Sequence, residues 1–387
     1  MASQNEPKTT GLGDLPQELY DKIANHVIDG NLDKGTKRDL RGLMTVNKQF
    51  YNSCTRLVYK TVELRLRSSE PYIPGSIQRL SKSERRQFVQ HIDLVSLSSS
   101  IWPNTAAKMQ AIREIPTVLA RFPALKSLHV DLGFMFPHPP RPSGLGPVVE
   151  LDNEEVELPA QPLGGAFQLY PNGIQALCLH RSFFMSGWSY DHTRDLARIM
   201  PSLRFFKFDG GLFPWHSWEG QAWEGQVLET LRYAKRLEVL SIQSVTQVLR
   251  NCIKYLPRDI PLRHLEISQV ILPPSDLVSI ARFAHSLEVL EIHAVEITDG
   301  TWEEVFNSLC ALRRLTVFRG KMFVYKVNVF PDHEADSARQ VAAFNRFMKQ
   351  VLVNRDRLGI NATYQGSSLL AARRGGRCTL GETPLCW

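Results

Sequence analysis

Four copies of one apolar pattern, spaced 25 residues apart, constrain this chain more than any other feature. They are Leu237-x-x-Leu240-x-Ile242, Leu262-x-x-Leu265-x-Ile267, Leu287-x-x-Leu290-x-Ile292 and Leu312-x-x-Leu315-x-Val317. The last three residues of each copy run apolar, other, apolar, the period of a strand with one buried face. A fixed period of this length marks a unit that buries its apolar face only by stacking on its neighbours. Looser copies precede the four: Val89/Ile92/Leu94, Leu125/Leu128/Val130, Ile174/Leu177/Leu179 and Leu203/Phe206/Phe208. The strands must then lie side by side in chain order.

Each copy leaves room for a strand, a loop and a helix, so alternating elements and a parallel sheet follow. Thr301-Trp-Glu-Glu304 reads as a helix cap, with Val305, Phe306 and Leu309 on one face. Ser275 precedes Leu277, Ile280, Ala281 and Ala284, and Thr193 precedes Leu196, Ile199 and Met200, stopped by Pro201. A last helix opens at Ser337-x-x-Gln340 and covers the end of the stack. The period and pattern match the leucine-rich-repeat signature. Leu272, Ile297 and Met322 fill the next apolar position of their repeats. Where many such repeats carry Asn or Cys, this chain has Val245, Val270 and Val295, so the repeats are degenerate.

Residues 11–60 obey a different period. Asp14-Leu15-Pro16-Gln17 has the form of a helix start, followed by Leu19, Ile23 and Val27 at intervals of four. A second helix begins near Thr36-Lys-Arg-Asp39 and carries Leu40, Leu43 and Met44, closing at Val46. A third follows Asn47, with Phe50, Tyr51, Cys54, Leu57, Val58 and Tyr59 apolar. Three short helices bury little surface alone, so such a unit needs a partner or a neighbouring domain.

Leu15-Pro16-x-Glu18-Leu19-x-x-x-Ile23, Leu40-x-x-Leu43-x-x-Val46-x-Lys48-x-Phe50 and Leu57-Val58-Tyr59 together resemble the F-box. The ending into Val58-Tyr-Lys-Thr-Val-Glu-Leu64 is similar to the form common in filamentous fungi, whose F-box proteins also carry degenerate repeats. One departure is the link from Asp29 to Thr36, several residues longer than usual for the family. The resemblance implies docking on a Skp-type adaptor, and through it on a cullin scaffold. The contacting residues it implies are Leu15, Pro16, Leu19, Ile23, Leu43, Val46, Asn47 and Phe50, with Ile23 and Leu43 also candidates for the core.

The expected fold class is therefore α/β: a small N-terminal three-helix F-box followed by a leucine-rich-repeat-like solenoid with a parallel sheet. The expected divisions are a disordered N-terminus at 1–10, a helical module at 11–60 and a linker at 61–88. The repeat body runs from 89 to 354, with a Pro- and Gly-rich loop at 137–165 that holds an acidic stretch, Asp152 to Glu157. An irregular basic tail spans 355–387. Between Arg339 and Arg377 eight basic residues face one acid, which accounts for the whole net charge of +7. That excess reads as a solvated helix face and a loose end, or as a contact for acidic partners.

In repeat arrays the strand residues between the apolar anchors share one surface. This places Ser241 and Gln243, Glu266 and Ser268, Glu291 and His293, and Thr316 and Phe318 on a face open to a protein target, with Glu266 beside Glu291. A second candidate is aromatic: Phe183, Phe184, Trp188, Tyr190, Phe213, Trp215, Trp218 and Trp223, read as packing before binding.

Enzyme signatures are absent from the sequence: no Gly-x-Ser-x-Gly, no His-Glu-x-x-His and no phosphate loop. The six scattered cysteines form no Cys-x-x-Cys pair and read as reduced. Cys178-x-His180 with His192 fits no standard metal spacing. Neither an apolar run long enough to span a bilayer nor a signal-peptide core at Met1 to Thr10 is present, so the expected compartment is the cytoplasm or nucleus. The function expected is a non-catalytic substrate receptor of a Skp–cullin–F-box ubiquitin ligase. It would need no cofactor, metal, membrane or nucleic acid. The alternative is an F-box or repeat scaffold that acts in protein interaction without ubiquitination.

Overall fold

A computed structural model describes residues 15–28, 34–66, 75–96, 117–131, 173–180, 190–210, 221–243, 251–325 and 333–360. The segments 1–14, 137–165 and 361–387, and Phe183, Phe184, Trp188, Phe213, Trp215 and Trp218 of the aromatic cluster, lie outside the described residues.

Three helices open the chain: α1 (Gln17–Ile28), α2 (Lys34–Leu43) and α3 (Lys48–Lys60). Their core is small: Tyr20, Ala24, Leu40, Phe50, Cys54 and Val58. The third helix follows Asn47 as expected, and Asn47 caps it, its Oδ1 accepting the Phe50 amide at 2.8 Å. Gln17 Nε2 donates to the Ser53 hydroxyl at 2.6 Å, tying α1 to α3.

Residues 61–66 and 75–88, within the segment expected as a linker, pack as part of the body. Helix α3 passes without a spacer into β1 (Thr61–Leu66), which pairs in parallel with β2 (His91–Ser96). Between them α4 (Gly75–Lys82) buries Ile77 in the body's core, and a 3-10 turn follows at Glu84–Phe88. Tyr59, Val62 and Leu64 are thus the first copy of the repeat pattern, because Val62 aligns with Ile92. The Gln90 amide donates to the Lys60 carbonyl at 2.9 Å, so the last residue of the helical unit starts the sheet's ladder.

The sheet continues through β3 (Ser127–Asp131), β4 (Ala176–His180), β5 (Phe205–Asp209), β6 (Val239–Gln243) and β7 (His264–Ser268). Short β8 (Ile271–Leu272) branches off, and β9 (Val289–Ile297) and β10 (Val317–Tyr325) complete it. The order is β1-β2-β3-β4-β5-β6-β7-β9-β10, with β8 paired to β9. Every described pair is parallel, and neighbours in chain order are neighbours in the sheet, the topology of a solenoid. One row of anchors runs across it: Ile92, Leu128, Leu177, Phe206, Leu240, Leu265 and Leu290, each fully buried. Val270 and Val295 are buried as well, so the position often given to Asn or Cys is part of the core here.

Helices α5 (Tyr190–Ile199), α6 (Gln221–Glu229), α7 (Cys252–Tyr255), α8 (Pro274–Val278) and α9 (Trp302–Leu309) close the other side of that core. Thr301 caps α9, accepting the Glu304 amide at 3.2 Å, whereas Thr193 lies inside α5 rather than at its start. Arg282, just after α8, donates to the carbonyls of Ile253, Lys254 and Leu256 and so satisfies the end of α7. The final helix, α10 (His333–Arg357), buries Ala343, Phe347 and Val351 against the last repeat. Asn354, 1% exposed, donates to the carbonyls of Leu312 and Leu315 at 2.7 and 3.0 Å. Helix α10 therefore seals the stack through both apolar contact and backbone satisfaction, and it extends three residues into the segment expected to be irregular.

Cys54, Cys252 and Cys310 are free thiols, but Cys178 is disulfide-bonded, a departure from the expectation of reduced cysteines. No described helix is long and apolar enough to cross a membrane.

Candidate functional site

Two surfaces gather the residues singled out from the sequence. The first is on the helical unit. Tyr20 and Ala24 turn inward on α1, and Tyr20 meets Phe50 edge-on at 4.7 Å between ring centroids. That choice turns Leu19 and Ile23 outward, 40% and 39% exposed, one helical turn apart. Val46, in the turn between α2 and α3, is 54% exposed. Asn47 Nδ2 donates to the Tyr20 hydroxyl at 3.4 Å, which holds that turn against α1. Pro16 is exposed, Leu15, Leu43 and Asn47 are half-buried, and Phe50 is 5% exposed. The eight residues therefore separate: Pro16, Leu19, Ile23 and Val46 face out, whereas Phe50 is core. Ile23, a candidate for the core, is on the surface instead.

The second surface is the polar face of the sheet. Strand alternation puts Ser241, Glu266 and Glu291 in one row, and Gln243, Ser268 and His293 in the next. Glu266 and Glu291 are direct cross-strand partners, as the repeat spacing requires. Like charges in that position repel, and the structure separates their partners. Ser241 Oγ and Gln243 Nε2 donate to the two oxygens of Glu266 at 2.9 and 2.6 Å. Glu291 is approached from both neighbouring strands and from its own, by His264 and Arg319 at 3.3 and 3.2 Å on Oε1 and by His293 at 3.2 Å on Oε2. Burial pushes the Glu291 carboxyl up, but the contacts of His264, His293 and Arg319 outweigh it and hold its pKa at about 2.

Two residues predicted for this face are elsewhere. Val289 pairs with His264 but also with Val317, so the last step of the array is 28 residues and not 25. Phe318 consequently aligns with Leu290, on the core side, and meets Phe347 at 4.8 Å between centroids. Thr316 falls just before β10, 7% exposed, with its hydroxyl on the Glu288 carbonyl. The register also moves the next apolar position of this repeat from Met322 to Tyr325, which pairs with Ile297. Leu312, Leu315 and Phe318 recur every three residues, so the sequence offers a second phase, Leu315-x-x-Phe318-x-Gly320, although Gly320 breaks its apolar pattern. The aromatic side of α10 decides between them, because Phe318 fills a place beside Phe344 and Phe347. Arg319 takes the polar position instead, and neither it nor His264 was singled out from the sequence. His264 occupies the first strand position, which the apolar-x-x-apolar pattern passes over. Counting from Leu315 rather than Leu312 would have found Arg319.

Exposure on the polar face is uneven. Ser241 and Glu291 are each 3% exposed, while Gln243, Glu266, Ser268 and His293 are half-buried. Further along the sheet, His91 is 2% exposed and neither ring nitrogen has a hydrogen-bond partner. Burial, with Lys60 and Lys126 nearby, lowers its pKa to about 4. Among the described residues no group of three His, Cys, Asp or Glu is placed to hold a metal ion.

No protein-family model matches this chain, and no curated protein matches it in sequence. Solved structures with a likeness include the TLR13–ssRNA13 complex, at 14% identity and a TM-score of 0.30 over 62% of this chain and 30% of that one. Another is an internalin from Listeria monocytogenes, at 11% identity and a TM-score of 0.28 over 87% of this chain and 97% of that one. This chain spans under a third of the length of the first of these. Likenesses this distant carry no argument about function. The class of the protein rests on its own architecture: a mixed α/β chain in which a parallel-sheet repeat solenoid is fused directly to a small helical unit.

Proposed function

We propose that this protein is a non-catalytic substrate receptor of a Skp–cullin–F-box ubiquitin ligase. The helical unit holds the Skp-type adaptor, and the polar face of the repeat body holds a protein target. The observation that carries this reading is the outward apolar set Leu19, Ile23 and Val46 on a unit whose core, among the described residues, has six buried side chains with partly buried ones packed around them. A small unit that leaves aliphatic side chains in water has a surface suited to burial by a partner. The same helices match the F-box pattern in the sequence. Catalysis would come from the scaffold, and this chain would contribute proximity by raising the effective concentration of the target at the ubiquitin donor. The direct passage of α3 into β1 suits that role, because it leaves no flexible spacer between the two docking surfaces.

Co-purification with a Skp-type adaptor tests the proposal. Wild-type chain should be retained, and a Leu19→Asp/Val46→Asp variant should not, with an unchanged melting temperature for the body. Retention of both, or of neither by a folded wild type, would overturn the adaptor assignment. If the adaptor binds but no protein is turned over in a cullin-dependent way, the chain is an interaction scaffold without ubiquitination.

A further inference from the structure

We infer that the groove between the helical unit and the first repeat is a binding site for a phosphate monoester, held by Arg56 and Arg85. The groove encloses about 620 Å³, within the range of small-ligand sites. Its walls come from three elements: Gln17 and Asp21 on α1, Tyr51, Asn52, Thr55 and Arg56 on α3, and the turn from Ser83 to Phe88. It exists only because α3 rests on that turn, so the site belongs to the junction and to neither part alone.

Both guanidiniums are positioned by aromatic groups. Arg85 donates from Nη1 to the Tyr59 hydroxyl and from Nη2 to the Tyr51 hydroxyl, each at 2.7 Å, with its carbon 5.1 Å from the Tyr59 ring centroid. Arg56 lies 6.0 Å from the centre of the Phe88 ring. Among the described residues neither has a carboxylate partner. A guanidinium fixed by phenols and a ring face keeps its charge and its remaining N–H donors for an anion. Thr55 also lines the groove; it is 5% exposed, and its hydroxyl, itself shielded from solvent, makes no hydrogen bond. Such a hydroxyl gains a partner only by turning toward a bound group.

Two cations and several hydroxyl and amide donors suit a doubly charged tetrahedral oxyanion better than a single carboxylate. Asp21 and Glu84 also line the groove. Asp21 Oδ1 accepts from Gln17 at 3.3 Å and Glu84 is exposed; both carry the anion's sign of charge and weaken its binding. The apolar residues Leu19 and Ile23 sit on the opposite flank of α1, so this site is independent of the adaptor reading.

The test is calorimetric titration of the full chain with O-phosphoserine and, separately, with a short phosphoserine peptide. Saturable binding is expected, weakened about tenfold by Arg85→Gln and by Arg56→Gln. Glu84→Gln, which removes only a repelling charge at an exposed position, should tighten it about threefold. Arg85 also braces the junction, so Arg56→Gln and Glu84→Gln keep the test meaningful if Arg85→Gln unfolds. Equal affinity for both probes assigns the site to a small phosphorylated metabolite, and tighter peptide binding assigns it to a phosphorylated protein segment. Absence of saturable binding by the folded chain, or affinity indifferent to Arg56→Gln and Glu84→Gln, overturns the inference.

Discussion

The helical unit and the repeat body solve burial in opposite ways. The body stacks one element on the next, so each apolar face is covered by the following repeat and the last is covered by α10. The helical unit closes around six residues and leaves Leu19, Ile23 and Val46 in water. Both regions nevertheless leave aliphatic surface in water: Leu19, Ile23 and Val46 on the helical unit, and Val341, Leu352, Val353, Leu358 and Ile360 on and just after α10. The proposed function places its partner on the first of these because the same helices also carry the sequence resemblance. The join is continuous, because α3 becomes β1 without a break.

Substitutions in the two regions should differ accordingly, and the largest effect belongs to the body. Leu265→Ala removes a fully buried anchor in the middle of the array and should cost about 2–5 kcal/mol by chemical denaturation. A loss below 1 kcal/mol would mean that the repeats are not tightly coupled. Next is the seal. Asn354→Ala strips two buried carbonyls of their donor and should cost about 1–3 kcal/mol. Hydrogen exchange should then rise first around α9 and β10, and uniform exchange along the chain would contradict the capping role.

The polar face should respond to pH in two separate windows. His91 has a folded pKa of about 4 against an ordinary 6.5, so the unfolded chain takes up its proton first. Stability should fall as pH drops from 6.5 through 4, and His91→Gln should remove that slope. Glu291, about 2 against 4.5, stabilises above pH 4.5, and its contribution disappears as pH falls toward 2. Glu291→Gln should flatten only this lower window. Melting temperatures across pH for both variants check the assignment, and identical profiles would refute it. The smallest effect belongs to the helical unit: Leu19→Ala, at a 40% exposed position, should change stability by under about 0.5 kcal/mol. A loss several times larger would show that Leu19 is structural and would remove it from the docking surface.

Much of this was legible before any coordinates. The anchors of the earlier repeats, from Val89/Ile92/Leu94 to Leu203/Phe206/Phe208, align across the sheet as their spacing suggests. The Thr301 cap forms as read, and the third helix begins after Asn47 as expected. Other features were not legible. Tyr59/Val62/Leu64 escaped notice because Tyr59 belongs at once to a helix and to the first repeat, and a linear reading assigns it once. Phe318 was given to the polar face because a triplet of apolar residues hides the phase of the strand.

The sequence by itself determined the period, the order of the strands and the alternation along each one, because these follow from backbone geometry over a few residues. Tertiary structure decided which flank of α1 faces water, where the last repeat shifts by three residues, and which partners neutralise Glu291. Those outcomes depend on shapes brought together from distant parts of the chain: Tyr20 against Phe50, Phe318 against Phe347, and His264, His293 and Arg319 around one buried carboxylate. Local patterning decides only that such groups exist, and packing density decides which of them meet.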